Sequence, residues 1–187
     1  MSPESQRVDI EDRELVRRVL AGQTDDFRAL VDRHQQPIFR FALGMLGNRE
    51  EAEDVTQEAF LAAFANLSGY DSSRAAFSTW LFTIARNRCI NLLKRTRPIA
   101  FNELNSIGEV GSTDPIVRQE LSQQLDRALA SLPVEQRSAF VLAEIEELPY
   151  AEIARIERTS LGTVKSRIHR AKQRLQSLLE PVMRESK

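Results

Sequence analysis

The chain has 187 residues, with 26 Lys and Arg against 27 Asp and Glu, and 42% hydrophobic residues. This is the balance of a folded, water-soluble chain, long enough for one domain or two small ones. One cysteine, Cys89, and two histidines, His34 and His169, exclude an internal disulfide and a cysteine- or histidine-based zinc site. No apolar run reaches membrane-spanning length, and Met1-Ser2-Pro3-Glu4 lacks a secretory signal, so a cytoplasmic protein without stable membrane insertion is expected.

Apolar residues recur at helical spacing almost throughout. Leu15, Val16, Val19 and Leu20 mark a first helix ending near Gly22. Phe27, Leu30, Val31, Ile38, Phe39, Ala42 and Leu46 mark a second, with Pro37 as a possible kink and Gly47 as its stop. Asn48 and Glu51 form a capping box for a third helix, whose inward stripe is Val55, Ala59, Ala63 and Leu67. A loop follows at Ser68–Ser73, and Phe77, Trp80, Leu81 and Ile84 begin a fourth helix reaching about Lys94.

Periodicity lapses between residues 99 and 114, a stretch read as a flexible interdomain linker. Asp114-Pro115 looks like a helix start, continued by Leu121, Leu125, Ala128 and Leu129. Pro133 and Pro149 each open a shorter helix. The last begins near Leu161, carries Val164, Ile168, Ala171, Leu175 and Leu178, and is expected to end at Pro181. The expectation is therefore an all-α protein: two small helical domains, 12–98 and 115–180, joined by a flexible linker at 99–114.

Charge is unevenly placed. Ser72–Pro98 holds six basic residues and no acidic one, and Pro149–Lys187 holds nine basic and four acidic. Two basic patches in a near-neutral chain suggest two contacts with a polyanion. A flexible linker would leave their spacing unset until a partner fixes it.

The C-terminal patch has the sharper chemistry. A short helix from Pro149, a turn near Arg158-Thr159-Ser160 and a longer basic helix form a helix-turn-helix. Ser160 can cap the second helix, which presents Thr163, Lys165, Ser166, His169 and Arg170 near its start. Lysine and arginine on such a helix can donate to guanine edges in a major groove. Lys165 is placed as the better base reader, while Arg158, Arg167, Lys172 and Arg174 suit phosphates. In the N-terminal half, Asp54, Gln57, Glu58 and Leu61 share one side of the third helix, an acidic and amide surface suited to a basic protein partner. Phe77 and Trp80 beside Arg86, Arg88, Lys94, Arg95 and Arg97 suit single-stranded nucleic acid, although both also fit a core, and for Trp80 the core is the favoured reading. No Gly-rich phosphate loop, nucleophile elbow or other catalytic constellation occurs, so neither enzymatic activity nor a cofactor is expected.

Two stretches in order carry a resemblance. Asp54-Val55-Thr56-Gln57-Glu58-Ala59-Phe60 with Phe77-Ser78-Thr79-Trp80-Leu81-Phe82-Thr83-Ile84-Ala85-Arg86-Asn87 resembles region 2 of the sigma-70 family of RNA polymerase sigma factors. Leu132-Pro133 with Tyr150 through Lys172 resembles its region 4. The pairing resembles the two-domain extracytoplasmic-function group. The resemblance implies that Asp54, Gln57 and Glu58 contact polymerase core. It implies that Ser68, Gly69, Tyr70, Asp71, Ser72 and Ser73, with Arg86, Asn87, Arg88 and Asn91, recognise and open the −10 element. It implies that Arg158, Ser160, Thr163, Lys165, His169 and Arg170 read the −35 element; Ser166 and Lys172 join this set from their place on the helix. The partners implied are RNA polymerase core, promoter DNA and a separate anti-sigma protein. The turn departs from the family pattern, with Arg158 where Gly or Asn is common and Leu161 before Gly162. A response-regulator output module would supply only the helix-turn-helix, and a DNA-independent adaptor would not need its basic helix.

Overall fold

The computed structural model describes residues 3–96 and 124–185, with side chains from 8 to 95 and from 124 to 179. The expected linker at 99–114 and the Asp114-Pro115 helix start lie outside these residues. The described residues form helices joined by short turns and loops, with no strand among them.

In chain order the helices are α1 (Pro3–Leu20), α2 (Phe27–Leu46), α3 (Arg49–Ala65) and α4 (Phe77–Thr96), then α5 (124–130), α6 (Val134–Phe140), α7 (Tyr150–Ile156) and α8 (Leu161–Glu185). A wide π-turn, Val141–Ile145, extends α6. Helix α2 stops where Gly47 takes a left-handed φ of 71° and returns its N–H to the Leu43 carbonyl. Helix α3 starts where the Asn48 side chain accepts the Glu51 N–H at 3.0 Å. Proline ends neither helix that contains it, since α2 runs through Pro37 and α8 through Pro181. Each removes one N–H donor, and the turns on either side retain theirs.

The N-terminal domain packs α1 to α4 around Leu30, Ile38, Phe41, Met45, Phe77 and Leu81, all essentially fully buried. Ala52, Ala59 and Ala63 give α3 a small-residue face against which α2 approaches closely. Phe41 and Phe82 meet edge to face at 5.7 Å. In the C-terminal domain Ile153 and Ile156 of α7 pack with Val164 and Ile168 of α8. A smaller cluster of Ala128, Leu129, Leu132, Ala171 and Leu175 holds α5 to α8. Leu178 continues the stripe of Val164, Ile168, Ala171 and Leu175 yet is 44% exposed.

The two domains touch. Ala139, Val141, Leu142 and Ile153 belong to the same apolar cluster as the α2 and α4 core residues. Gly44 on α2 makes the approach possible, since a Cβ there would stand 3.0 Å from both Val141 methyl groups. The guanidinium of Arg137, 3% exposed, donates to the Met45 carbonyl at 2.6 Å across the boundary. Arg40 forks onto Glu146 at 3.1 and 2.8 Å. Burial tends to raise the Glu146 carboxyl above its ordinary range, against the opposing pull of Arg40.

Candidate nucleic-acid interface

Helix α8 presents its residues on a rigid cylinder, so their directions follow from the buried stripe. Val164, Ile168, Ala171 and Leu175 mark the inward direction. At 100° per residue, Ser166 points about 10° from the opposite direction, and His169 and Arg170 about 50° to either side of it. Lys165 lies about 90° away and Lys172 about 110° away on the same side. Ser166, His169, Arg170 and Lys165 are all exposed. The geometry thus centres the outward face on Ser166, His169 and Arg170, with Lys165 on its flank. Lys172 reaches Glu144 at 2.8 Å, which raises its ammonium pKa. Arg167, expected at a phosphate, instead donates to buried Glu157 at 2.6 Å.

The turn before α8 is a Schellman motif. Thr159 N–H bonds the Ala154 carbonyl at 3.0 Å and Arg158 N–H bonds the Arg155 carbonyl at 3.2 Å. The motif requires a left-handed residue, and Arg158 fills it at φ 50°. Gly and Asn adopt that conformation most readily, so Arg158 holds its place at some strain. Ser160 then caps α8, its Oγ accepting the Thr163 N–H at 3.1 Å and meeting Thr163 Oγ1 at 2.9 Å.

The loop between α3 and α4 is tied down from both ends. Asp71 accepts the Ser73 N–H at 2.9 Å and the Ser73 hydroxyl at 2.7 Å, which lowers the Asp71 pKa. Tyr70 donates to the Ala75 carbonyl at 3.0 Å, and burial pushes its hydroxyl up to about 12. Its ring meets Phe77 edge to face and Trp80 at a tilt, and Trp80 is partly buried. Behind them His34 packs on Phe77 and lies 2.7 Å from buried Asp12. Ser68, Gly69, Asp71 and Ser73 remain exposed, and Ser72 is partly so.

On α4, Asn87 and Asn91 are exposed with Lys94 and Arg95, whereas Arg97 lies outside the described residues. Arg88 pairs with Glu58 on α3, joining one residue expected at DNA to one expected at the protein partner. Arg86 does not face solvent. Its side chain is 12% exposed and its Nε donates to Ser138 at 3.1 Å.

Asp54, Gln57 and Leu61 form an exposed row on α3, with Leu61 70% exposed. Beside it runs a groove of about 820 Å³ between α2 and α3, lined by Phe27, Val31, Gln57, Phe60, Leu61 and Phe64 among others. Phe27 and Phe64 meet at 5.0 Å there. Sequence reading recognised the polar row and missed the apolar groove. Its one visible signal was Phe64, which falls outside the inward alanine and valine stripe.

The comparisons agree with this arrangement. Residues 30–99 match the model of sigma-70 region 2, and residues 122–175 match that of sigma-70 region 4. Among curated relatives, the ECF RNA polymerase sigma factor SigW of Bacillus subtilis is 35% identical over 88% of this chain and 94% of its own. The ECF sigma-E factor of Escherichia coli is 32% identical over 92% of this chain and 96% of its own. Among solved structures, CnrH in complex with the cytosolic domain of CnrY superposes with a TM-score of 0.72 at 26% identity, covering 91% of this chain and 97% of that one. RpoE from Bartonella quintana, in complex with the anti-sigma factor NepR, gives 0.68 at 30% identity, covering 83% and 97%.

The matches to sigma-70 regions 2 and 4, in that order, define a transcription initiation factor rather than an enzyme. The chain belongs to the sigma-70 family, in its extracytoplasmic-function group. It is an alternative sigma factor, which directs RNA polymerase to promoters. No helix among the described residues is long and apolar enough to cross a membrane.

Proposed function

We propose that this sigma factor divides its work among three surfaces. The α3 row of Asp54, Gln57 and Leu61, with the groove beside it, docks on polymerase core. Glu58 contributes once its pairing with Arg88 is exchanged. The loop from Ser68 to Ser73, with Asn87, Arg88 and Asn91 on α4, recognises and opens the −10 element; Arg86 joins them when α4 is uncovered. Helix α8 enters the major groove at the −35 element. Ser166, His169 and Arg170 face the bases, Lys165 and Thr163 flank them, and Arg158 approaches a phosphate. Ser160 acts mainly by capping α8, and Lys172 meets DNA only by giving up Glu144.

The observation that supports this reading most is the exposed outward face of α8, centred opposite its buried stripe. A cytoplasmic location and an anti-sigma partner belong to the same reading. The partner is suggested by the complexes in which the relatives CnrH and RpoE were solved. Photo-crosslinkers at Leu61, Asp71 and Ser166, placed one at a time in holoenzyme on promoter DNA, test the division of labour. The expected adducts are core protein from Leu61, the −10 strand from Asp71 and the −35 duplex from Ser166. DNA adducts from Leu61, or none from Ser166, would overturn it.

A further inference from the structure

Helix α2 carries a histidine where its buried stripe calls for an apolar residue. His34 stands one turn from Leu30 and one turn from Ile38 and is 7% exposed. Every other buried residue of α2 is apolar or glycine. The His34 Nε2 lies 2.7 Å from one carboxylate oxygen of Asp12 on α1, which is 1% exposed. Arg33 donates to the other oxygen and also to Glu11. A carboxylate only accepts, so Nε2 is the donor. Two apolar side chains of matching shape would hold α1 to α2 about as firmly as this pair does. What the pair adds is direction, since a buried hydrogen bond to Nε2 fixes the plane of the imidazole.

The oriented ring bears on the side chains that hold the loop between α3 and α4. His34 meets Phe77 at 5.5 Å between ring centroids, and Phe77 is fully buried. Phe77 in turn takes Tyr70 edge to face at 5.7 Å, and Tyr70 meets Trp80 at 5.3 Å. The Tyr70 hydroxyl closes the loop by donating to the Ala75 carbonyl at 3.0 Å. Helix α1 also touches α4 and the turn Leu67–Gly69 directly. A continuous line of packed rings thus runs from Asp12 to the loop. A rotation of His34 would displace Phe77 and Tyr70 with it, because close-packed interiors transmit small shifts.

We propose that Asp12 and His34 are positioning residues for −10 recognition: their hydrogen bond sets the stack of Phe77, Tyr70 and Trp80 on which the loop from Ser68 to Ser73 is held. The proposal rests on the assignment of that loop to the −10 element and extends its machinery to two buried side chains that do not meet DNA. His34→Phe keeps a ring of similar size and removes the donor. Asp12→Leu combined with His34→Phe replaces the whole pair by apolar contact, and Arg33 keeps Glu11 as its partner. The double variant therefore recovers stability that the single variant loses, without recovering the direction.

The test is transcription by holoenzyme from promoters randomised at the −10 element alone. Fluorescence of Trp80, the one tryptophan of the chain, is the second readout. The single and the double variant should each lower the discrimination between preferred and altered −10 sequences roughly tenfold, the factor for about 1.4 kcal/mol. Each should shift the Trp80 emission of the free chain, while core affinity and −35 preference stay those of the parent. A purely structural role would instead restore discrimination along with stability in the double variant. That restoration, parental discrimination in both variants, or an unshifted Trp80 emission would overturn the proposal. Asp71→Ala, within the loop itself, separates this failure from failure of the loop assignment. If Asp71→Ala lowers discrimination and the other variants do not, the positioning role falls alone. If none of the three lowers it, the assignment of the loop falls and the proposal falls with it. If urea titration shows that His34→Phe does not fold, the double variant decides.

Discussion

Arg86 of α4 and Glu157 of the α7–α8 turn stand 3.6 Å apart across the boundary between the domains. Arg86 was expected at the −10 element, yet its side chain packs on the C-terminal domain and donates to Ser138. The reason is non-local. Glu157 is one acidic residue among many in the sequence, and only the packing of α7 on α4 brings it to Arg86.

The core-docking surface yields the first expectation. Leu61→Ala and Gln57→Ala each remove an exposed group with no intramolecular role, so stability should be unchanged. Adding Asp54→Ala should weaken core binding by about 2–5 kcal/mol if Asp54 is buried against a cationic partner. Competition against the unmodified chain for core measures this. Undiminished binding by the triple variant would move the docking surface elsewhere.

The directions of side chains on α8 give a second. Arg170→Ala should weaken preferred −35 sequences by about 1–3 kcal/mol and flatten the preference at one or two positions. Lys165→Ala, on the flank, should weaken all sequences about equally and lower the salt slope by about one. Holoenzyme binding to a randomised −35 library at two salt concentrations separates the two. The reverse pattern would restore Lys165 as the base reader expected from sequence.

Backbone strain gives a third. Arg158→Gly relieves a left-handed residue and should stabilise the protein by about 1 kcal/mol. If Arg158 meets a phosphate as proposed, the same change should also weaken promoter binding. Urea unfolding and DNA titration of one variant check both signs. A loss of stability would mean that the Arg158 side chain holds the turn in a way its geometry does not reveal.

Cys89 provides a fourth. It is fully buried on α4, and burial pushes its thiol up to about 12. At pH 8 it should therefore resist alkylation in the native chain and react only as the N-terminal domain unfolds. Rapid labelling without denaturant would show that α4 is loosely packed.

Much of the fold was legible because it is local. The Asn48 cap, the Gly47 stop and the inward Val55, Ala59 and Ala63 set against exposed Asp54, Gln57 and Glu58 depend on residues within a few turns. The helix-turn-helix was legible for the same reason. Pro181 misled, since proline perturbs one hydrogen bond but does not always end a helix. The apolar groove at Phe64, the pairing of Glu58 with Arg88 and the close approach of Val141 to Gly44 all depend on which helices become neighbours. Periodicity along one helix carries no record of that. The resemblance gave roles to residues without revealing that some of them hold each other.

Promoter selection by this chain is tested most directly by transcription from a promoter library by purified core, with and without the chain. A new set of starts should appear only when core and chain are both present, each start preceded by a shared −10 and −35 pair. Arg170→Ala should change which −35 sequences are chosen. An unchanged set of starts, or sequence-specific promoter footprints made by the chain alone and unaltered by core, would contradict it.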